Sequence, residues 1–460
     1  MSKQRSGMKR MFETIGRVAL LSAACLLGVT GARAQQLASQ VDIYANNEIR
    51  ANNFSGTILI ARDGRVLLSK GYGMANIEND VLNSPQMRFR IGSLTKQFTA
   101  MAVMILQERG VLNVQDSICT YLPNCPEMWR PITIHHLLTH TSGLPDFTYN
   151  LTSAEDDDPI PSVTRNIDRL RTSPLEFTPG ARFSYCNSGY VLLGHIIEKA
   201  SGNSYQTFVR ENIFVPLGMS NTGYDFNGRI LKHRATGYSL RGGQILNARQ
   251  IDMSVPFSAG GLYSTVEDLY LWDQALYTTK LISEKSLKLM FTPFKEGYAY
   301  GWYAGERFGR RVVSHGGMIE GYTAFIERFP EERVTVIVLS NLDSTPTSRF
   351  ARDLAAITFN LPRTSGKERR AINVDPRVYD AYVGQYELSR NFIITITKEN
   401  DRLMGKVTGR PKIELFPESA TEFFVKELDA QITFVGDGTG KVTHAILHLD
   451  GHEAQAKKVG

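Results

Sequence analysis

Cysteine is scarce here: four in 460 residues, one of them (Cys25) within the first 34. That excludes a disulfide-stapled scaffold. No Cys/His spacing matches a zinc site, and His135 and His136, being adjacent, would not share a helix face. Also missing is any apolar run of the roughly 20 residues that a membrane-spanning helix needs. The best candidate, Val18 to Thr30, is too short and follows Lys3, Arg5, Lys9 and Arg10. A basic start, a short apolar stretch and the small-x-small triplet Ala32-Arg33-Ala34 predict a cleaved secretory leader over residues 1–34. Ser22, three before Cys25, stands where a lipid-attachment signal has an aliphatic residue.

An excess of one charge is absent too. The net +6 belongs mostly to the leader; without its six Lys/Arg and one Glu, 46 basic residues face 45 acidic ones. Nucleic acid and anionic membranes are therefore not expected partners. A 42% hydrophobic and 21% charged composition is that of a soluble globular protein with ample core. In an exported chain, Cys119 and Cys125, bracketing Thr-Tyr-Leu-Pro-Asn, are the expected disulfide, the alternative being two reduced buried thiols; Cys186 is left over.

The segment from Phe54 to Ala75 reads as a hairpin turning at Arg62-Asp63-Gly64, and Thr95 to Arg109 as a helix apolar around its circumference, hence buried. Helical pieces and irregular loops follow to about residue 290, including the acidic run Glu155 to Asp158, whose default reading is a solvated loop. Strand character returns at Arg311–Ser314, Tyr322–Phe329 and Val334–Ser340, before a helix from about Pro346 to Phe359. Residues 361–372 look like a linker. Period-two runs at Phe392–Thr397, Ile432–Val435 and Val442–Leu447 then predict a small all-β domain over 373–460.

Three short patterns carry chemistry. Ser93-Leu-Thr-Lys96 places a hydroxyl and an amine on one face at a helix start. A buried lysine with a lowered pKa can take the serine's proton, and the serine's own amide is an unsatisfied helix donor. Tyr185-Cys-Asn187 offers a phenol and an amide on one side of an extended segment. His315-Gly316-Gly317 ends a strand where a substrate backbone can approach closely, with the Met318 amide as a second oxyanion donor. None is specific alone: Ser-x-x-Lys recurs at Ser6–Lys9 and Tyr-x-Asn at Tyr44–Asn46.

Order and context supply the specificity. With Phe89–Lys96, Ile132–Pro145, Pro179–Asn187, Pro216–Met219, Ala259–Leu262 and His315–Gly317, the chain resembles the serine β-lactamase-like family over roughly residues 40–360. That family includes class C β-lactamases, D-alanyl-D-alanine carboxypeptidases, D-aminopeptidases and related esterases. Tyr382-Val-Gly-Gln-Tyr386-Glu, with Gly451, resembles the lipocalin-like β-domain often appended to these hydrolases.

The resemblance implies an α/β (α+β) fold: an antiparallel sheet flanked by helices with an all-helical insert over 35–360, plus a barrel-like all-β domain. It implies Ser93 as nucleophile, Lys96 as base partner and Tyr185 as proton shuttle. Asn187, His315, Gly316 and Gly317 would bind substrate, with the Ser93 and Met318 amides as oxyanion hole. No metal and no organic cofactor are implied. The partner is a small-molecule or peptide substrate, with no oligomeric state indicated. The expected activity is that of a periplasmic or secreted serine hydrolase forming an acyl-enzyme with small peptides or amides, D-amino-acid ones included, or with esters. Competing readings are a non-catalytic binding protein on the same fold and a true β-lactamase. The second is disfavoured because drug-hydrolysing members carry Lys-Thr-Gly where this chain has His-Gly-Gly, which replaces a permanent cation for a carboxylate by a pH-dependent one.

Overall fold

A computed structural model describes residues 35–147, 163–363, 371–389, 392–408, 412–425, 430–437, 441–449 and 452–459. The leader and the acidic run Glu155–Asp158 lie outside the described residues.

Strands β1 (Gly56–Arg62) and β2 (Arg65–Tyr72) form the expected hairpin, with Asp63 and Gly64 both at positive φ, the backbone that a tight two-residue turn demands. The sheet continues through β3 (Tyr303–Arg307), β4 (Arg310–Ile319), β5 (Tyr322–Phe329) and β6 (Val334–Ser340). Its order is β3-β4-β5-β6-β1-β2, antiparallel throughout, and β1 docks on β6 in the register Gly56↔Ser340 to Arg62↔Val334. Sequence-distant segments thus close one sheet.

Every residue of β5 and β6 is buried, so both faces of the sheet are covered. Alternation sorts the side chains. Ile58 and Ile60 face a core built with Val41 and Tyr44 of a helix over 35–50 (α1) and Phe350 and Leu354 of a helix over Thr347–Thr358. Leu59 and Ala61 face the opposite core, with Phe98 and Met101. Helix α1 is not among the sequence expectations, although Leu37, Val41, Tyr44 and Ala45, all buried, recur at helical spacing.

Helix α2 (Thr95–Glu108) crosses the second core and is buried at every position from Thr95 to Leu106. A 3-10 turn at Gly92–Leu94 leads into it. Helix α3 (Asn187–Ser201) packs nearby and stops at Gly202, which takes the left-handed conformation that ends helices. The insert between β2 and β3 is mainly helical, but not wholly so. It also holds a hairpin, Tyr238–Arg241 with Gln244–Asn247, turning at Gly242-Gly243, and a small sheet joining Phe89–Arg90, Leu262–Ser264 and Gly223–Tyr224. The Gly-Gly pair between short apolar runs was a readable hairpin signal.

The C-terminal part is a closed barrel of eight antiparallel strands from Gly384–Ser389 to His452–Val459, the first paired with the last. An eight-stranded barrel has an interior that side chains just fill. Tyr386, Ile396, Phe423, Ala445 and Ala456 do so here, and Tyr382 stacks on Phe434 at 4.4 Å. Cys119 and Cys125 are disulfide-bonded, with Cα atoms 5.3 Å apart; Cys186 is a buried free thiol. Among the described residues no helix is long and apolar enough to cross a membrane.

Candidate active site

Ser93 sits half-buried on the 3-10 turn, and Lys96 opens the buried face of α2 one turn later. Lys96 Nζ makes three contacts: Ser93 Oγ at 3.0 Å, Asn187 Oδ1 at 2.7 Å and the Ala259 carbonyl at 2.9 Å. Complete burial pushes its pKa down to about 7, against the upward pull of Asp146 and Cys186. A neutral amine has two N–H groups and one lone pair. The two carbonyl oxygens occupy the N–H groups, which leaves the lone pair for the Ser93 hydroxyl.

Tyr185 lies against this amine, its ring centroid 4.9 Å from Lys96 Nζ. Asn187 is not in the extended segment that its spacing from Tyr185 suggested; it is the first residue of α3, with Cys186 as the cap. The Asn187 N–H donates to Asp146 Oδ2 at 2.8 Å, so a buried carboxylate holds the positive end of α3. The Ser188 hydroxyl donates to the Pro145 carbonyl and accepts from the Phe147 N–H, which fastens the preceding loop to the same helix start.

Strand β4 forms the other wall. His315-Gly316-Gly317 does not end it, for β4 runs on to Ile319, with the glycines registered against Phe325 and Ala324 of β5. Sheet pairing overrides the poor strand preference of glycine. On its other side β3 pairs only as far as Ser314, so from Gly316 onward that edge meets no further strand among the described residues. The Ser93 turn lies there instead. A Cβ on Gly317 would stand 2.0 Å from the Ile91 carbonyl and 3.1 Å from the Ser93 amide nitrogen; one on Gly92, which has φ +49°, would stand 2.8 Å from the Met318 amide nitrogen. The two backbone segments approach here as closely as only glycine permits. The Met318 side chain is half-exposed at the rim.

His315 differs from a cleft-facing charge. It is 2% exposed; its Nδ1 lies 2.6 Å from the Gly316 carbonyl and its Nε2 3.1 Å from the Tyr298 hydroxyl. A carbonyl only accepts, so Nδ1 carries a proton, while Nε2 shares a hydrogen bond with the Tyr298 hydroxyl. The ring thus braces β4 against the buried Tyr298.

Sequence reasoning missed Asp146, His140 and Tyr298, which surround Tyr185 and Asn187. Faint signals existed: His140 lies within Ile132–Pro145, Asp146 follows it directly, and Tyr298 opens the aromatic cluster Tyr-Ala-Tyr-Gly-Trp. Ala259 lay in a segment already singled out, but its carbonyl has no side-chain signature. Among the described residues no three His, Cys, Asp or Glu side chains are grouped to hold a metal.

The family model described as Beta-lactamase matches residues 46–359, and one described as a domain of unknown function (DUF3471) matches 368–458. Penicillin-binding protein 4* of Bacillus subtilis (strain 168) is 33% identical over 437 residues, covering 88% of this chain and 95% of its own. The octameric penicillin-binding protein homologue from Pyrococcus abyssi superposes with a TM-score of 0.66 at 27% identity, over 91% of this chain and all of its own. The D-amino acid amidase from Ochrobactrum anthropi SV3, complexed with D-phenylalanine, is similar in fold: TM-score 0.59, 22% identity, 67% of this chain and 92% of its own.

Proposed function

The chain belongs to the Beta-lactamase family of serine hydrolases, and from that premise we propose an exported enzyme acting through a covalent acyl-enzyme. Its substrates are small peptides or amides, D-amino-acid ones included, or carboxylic esters. The observation that carries the reading is the Lys96 amine: fully buried, tuned to about 7, and 3.0 Å from Ser93 Oγ.

In the proposed reaction Ser93 Oγ attacks the substrate carbonyl carbon while its proton passes to the coupled Lys96–Tyr185 pair. The Ser93 and Met318 amides receive the developing oxyanion at the junction kept open by Gly92 and Gly317. Tyr185 relays the proton to the departing amine or alkoxide, and water then cleaves the acyl-enzyme by the reverse relay. Asn187 fixes Lys96 and is assigned a contact with the substrate's amide; Gly316 and Gly317 let its backbone lie along β4. His315 supports that strand, so a carboxylate meets no cation from it, which argues for poor β-lactam hydrolysis. The relative's name, a penicillin-binding protein, supports a site that accepts a small amide-bearing ligand.

Residues 1–34 are assigned as the leader, 35–360 as the hydrolase, 361–372 as the linker and 373–460 as the barrel domain, with the mature protein periplasmic or secreted. N-terminal sequencing of the mature protein tests export, with Gln35 expected first; a membrane-bound chain still beginning at Met1 would refute it. Incubation with a fluorophosphonate followed by peptide mapping tests the chemistry. One adduct at Ser93, absent in Ser93→Ala, is expected together with turnover of D-amino-acid amides or short esters; an adduct elsewhere, or unchanged turnover in Ser93→Ala, would favour a binding protein.

A further inference from the structure

We infer that His140 is the positioning residue of Tyr185, clasping the backbone on both sides of the tyrosine and packing its ring against the phenol's. This rests on the proton-transfer role proposed for Tyr185.

The Ser184 N–H donates to the His140 carbonyl at 2.8 Å, and the Cys186 N–H donates to His140 Nδ1 at 3.0 Å. The two amides flanking Tyr185 therefore end on one residue, 46 positions upstream of Cys186. The His140 and Tyr185 rings lie 4.2 Å apart at a 35° tilt. The next amide, that of Asn187, goes to Asp146. Backbone rotation that would swing the phenol away from Lys96 must break at least one of these bonds.

His140 adopts φ +55°, a left-handed conformation uncommon for a residue with a Cβ but tolerated by His and Asn. In it the residue offers both its carbonyl and its ring to one segment. Because Nδ1 accepts, the proton sits on Nε2, which is buried and makes no hydrogen bond among the described residues. A buried unpaired N–H is costly, which offsets what the ring contributes to stability by pairing the Cys186 N–H. What an apolar ring could not supply is the acceptor at Nδ1. Burial, with Lys96 and His315 nearby, holds the ring's pKa well below the ordinary range, which keeps that acceptor available.

The test measures kcat and KM separately on a p-nitrophenyl ester, with fluorophosphonate labelling as a check on Ser93. His140→Asn keeps an acceptor at the δ position and tolerates the left-handed backbone; His140→Leu fills space without an acceptor. His140→Leu should lower kcat about tenfold or more with KM within about threefold, since small misplacements of a reacting group are expensive. His140→Asn should stay within about threefold of the parent in kcat, and His140→Leu should add little to the loss in Tyr185→Phe. If His140→Leu gives no cooperative melt, His140→Gln, with its acceptor one bond further out, replaces it under the same criteria. Wild-type kcat in the folded Leu or Gln variant, an Asn variant as slow as Leu or Gln, or fully multiplicative loss with Tyr185→Phe would overturn the inference. A parent protein that does not label at Ser93 overturns the hydrolase reading, and this one with it.

Discussion

Lys96 Nζ lies 2.7 Å from Asn187 Oδ1, a contact between residues 91 positions apart that joins the first turns of α2 and α3. It makes the amine common property of two helices, and it directs one N–H away from Ser93. The serine's proton acceptor is therefore defined by groups that do not touch the serine.

That arrangement has a pH signature. Lys96 must be neutral to accept a proton, and burial places its pKa near 7. With an uncharged ester, kcat/KM should climb tenfold per pH unit below about 7 and level off above it, as for a base that must be deprotonated. Measurement from about pH 5 to pH 9 checks this; a flat profile would remove Lys96 as base.

Ser93, Lys96 and Tyr185 should behave as one unit. Ser93→Ala should abolish turnover, and Lys96→Ala and Tyr185→Phe should each cost most of kcat. The Lys96→Ala/Tyr185→Phe double variant should be little slower than either single one. Multiplying losses would mean that the two act independently.

Gly317→Ala should be far more damaging than its size suggests. The new Cβ would fall 2.0 Å from the Ile91 carbonyl, so the Ser93 turn or the β4 edge must move. A loss in kcat on the order of 100-fold is expected. Gly305→Ala, on β3 with nothing within 4 Å of its Cβ position, serves as the control and should be near neutral. Similar activity in the two variants would rule out the close approach as a requirement.

The sequence comparison of His-Gly-Gly with Lys-Thr-Gly treats His315 as a pH-dependent cation for a carboxylate. Burial of His315 against Tyr298 argues against that role. His315→Lys should lower the melting temperature, because an ammonium on a longer, flexible stem would be buried where the ring now packs against Tyr298. It should bring no gain with carboxylate-bearing substrates at any pH. Thermal melting and paired kinetics on neutral and anionic esters decide the matter; improved anionic turnover with an unchanged melt would return His315 to the cleft wall.

Much of this architecture was legible because its determinants are local. Apolar runs bounded by turns marked β1, β5 and β6, period-two runs marked three of the barrel strands, and three-residue spacing on an apolar helix marked Ser93 and Lys96. The Asp63-Gly64 turn announced itself by residue type. Neither the helix over 35–50 nor the Tyr238–Asn247 hairpin was read, although burial spacing in one and Gly242-Gly243 in the other were present.

What no local pattern contained was the set of long-range contacts that give the site its chemistry. The two carbonyl acceptors that hold Lys96, the burial that lowers its pKa, and the clasp of His140 on the segment bearing Tyr185 arise only when distant segments pack together. Backbone carbonyls such as that of Ala259 have no residue-type signature, and whether His315 faces substrate or protein depends on where Tyr298 lands. The sequence by itself determined which functional groups are present and, for Ser93 and Lys96, the helix start that bears them. Only tertiary packing decided their protonation, partners and exposure, because desolvation and hydrogen bonding depend on neighbours that chain order does not specify.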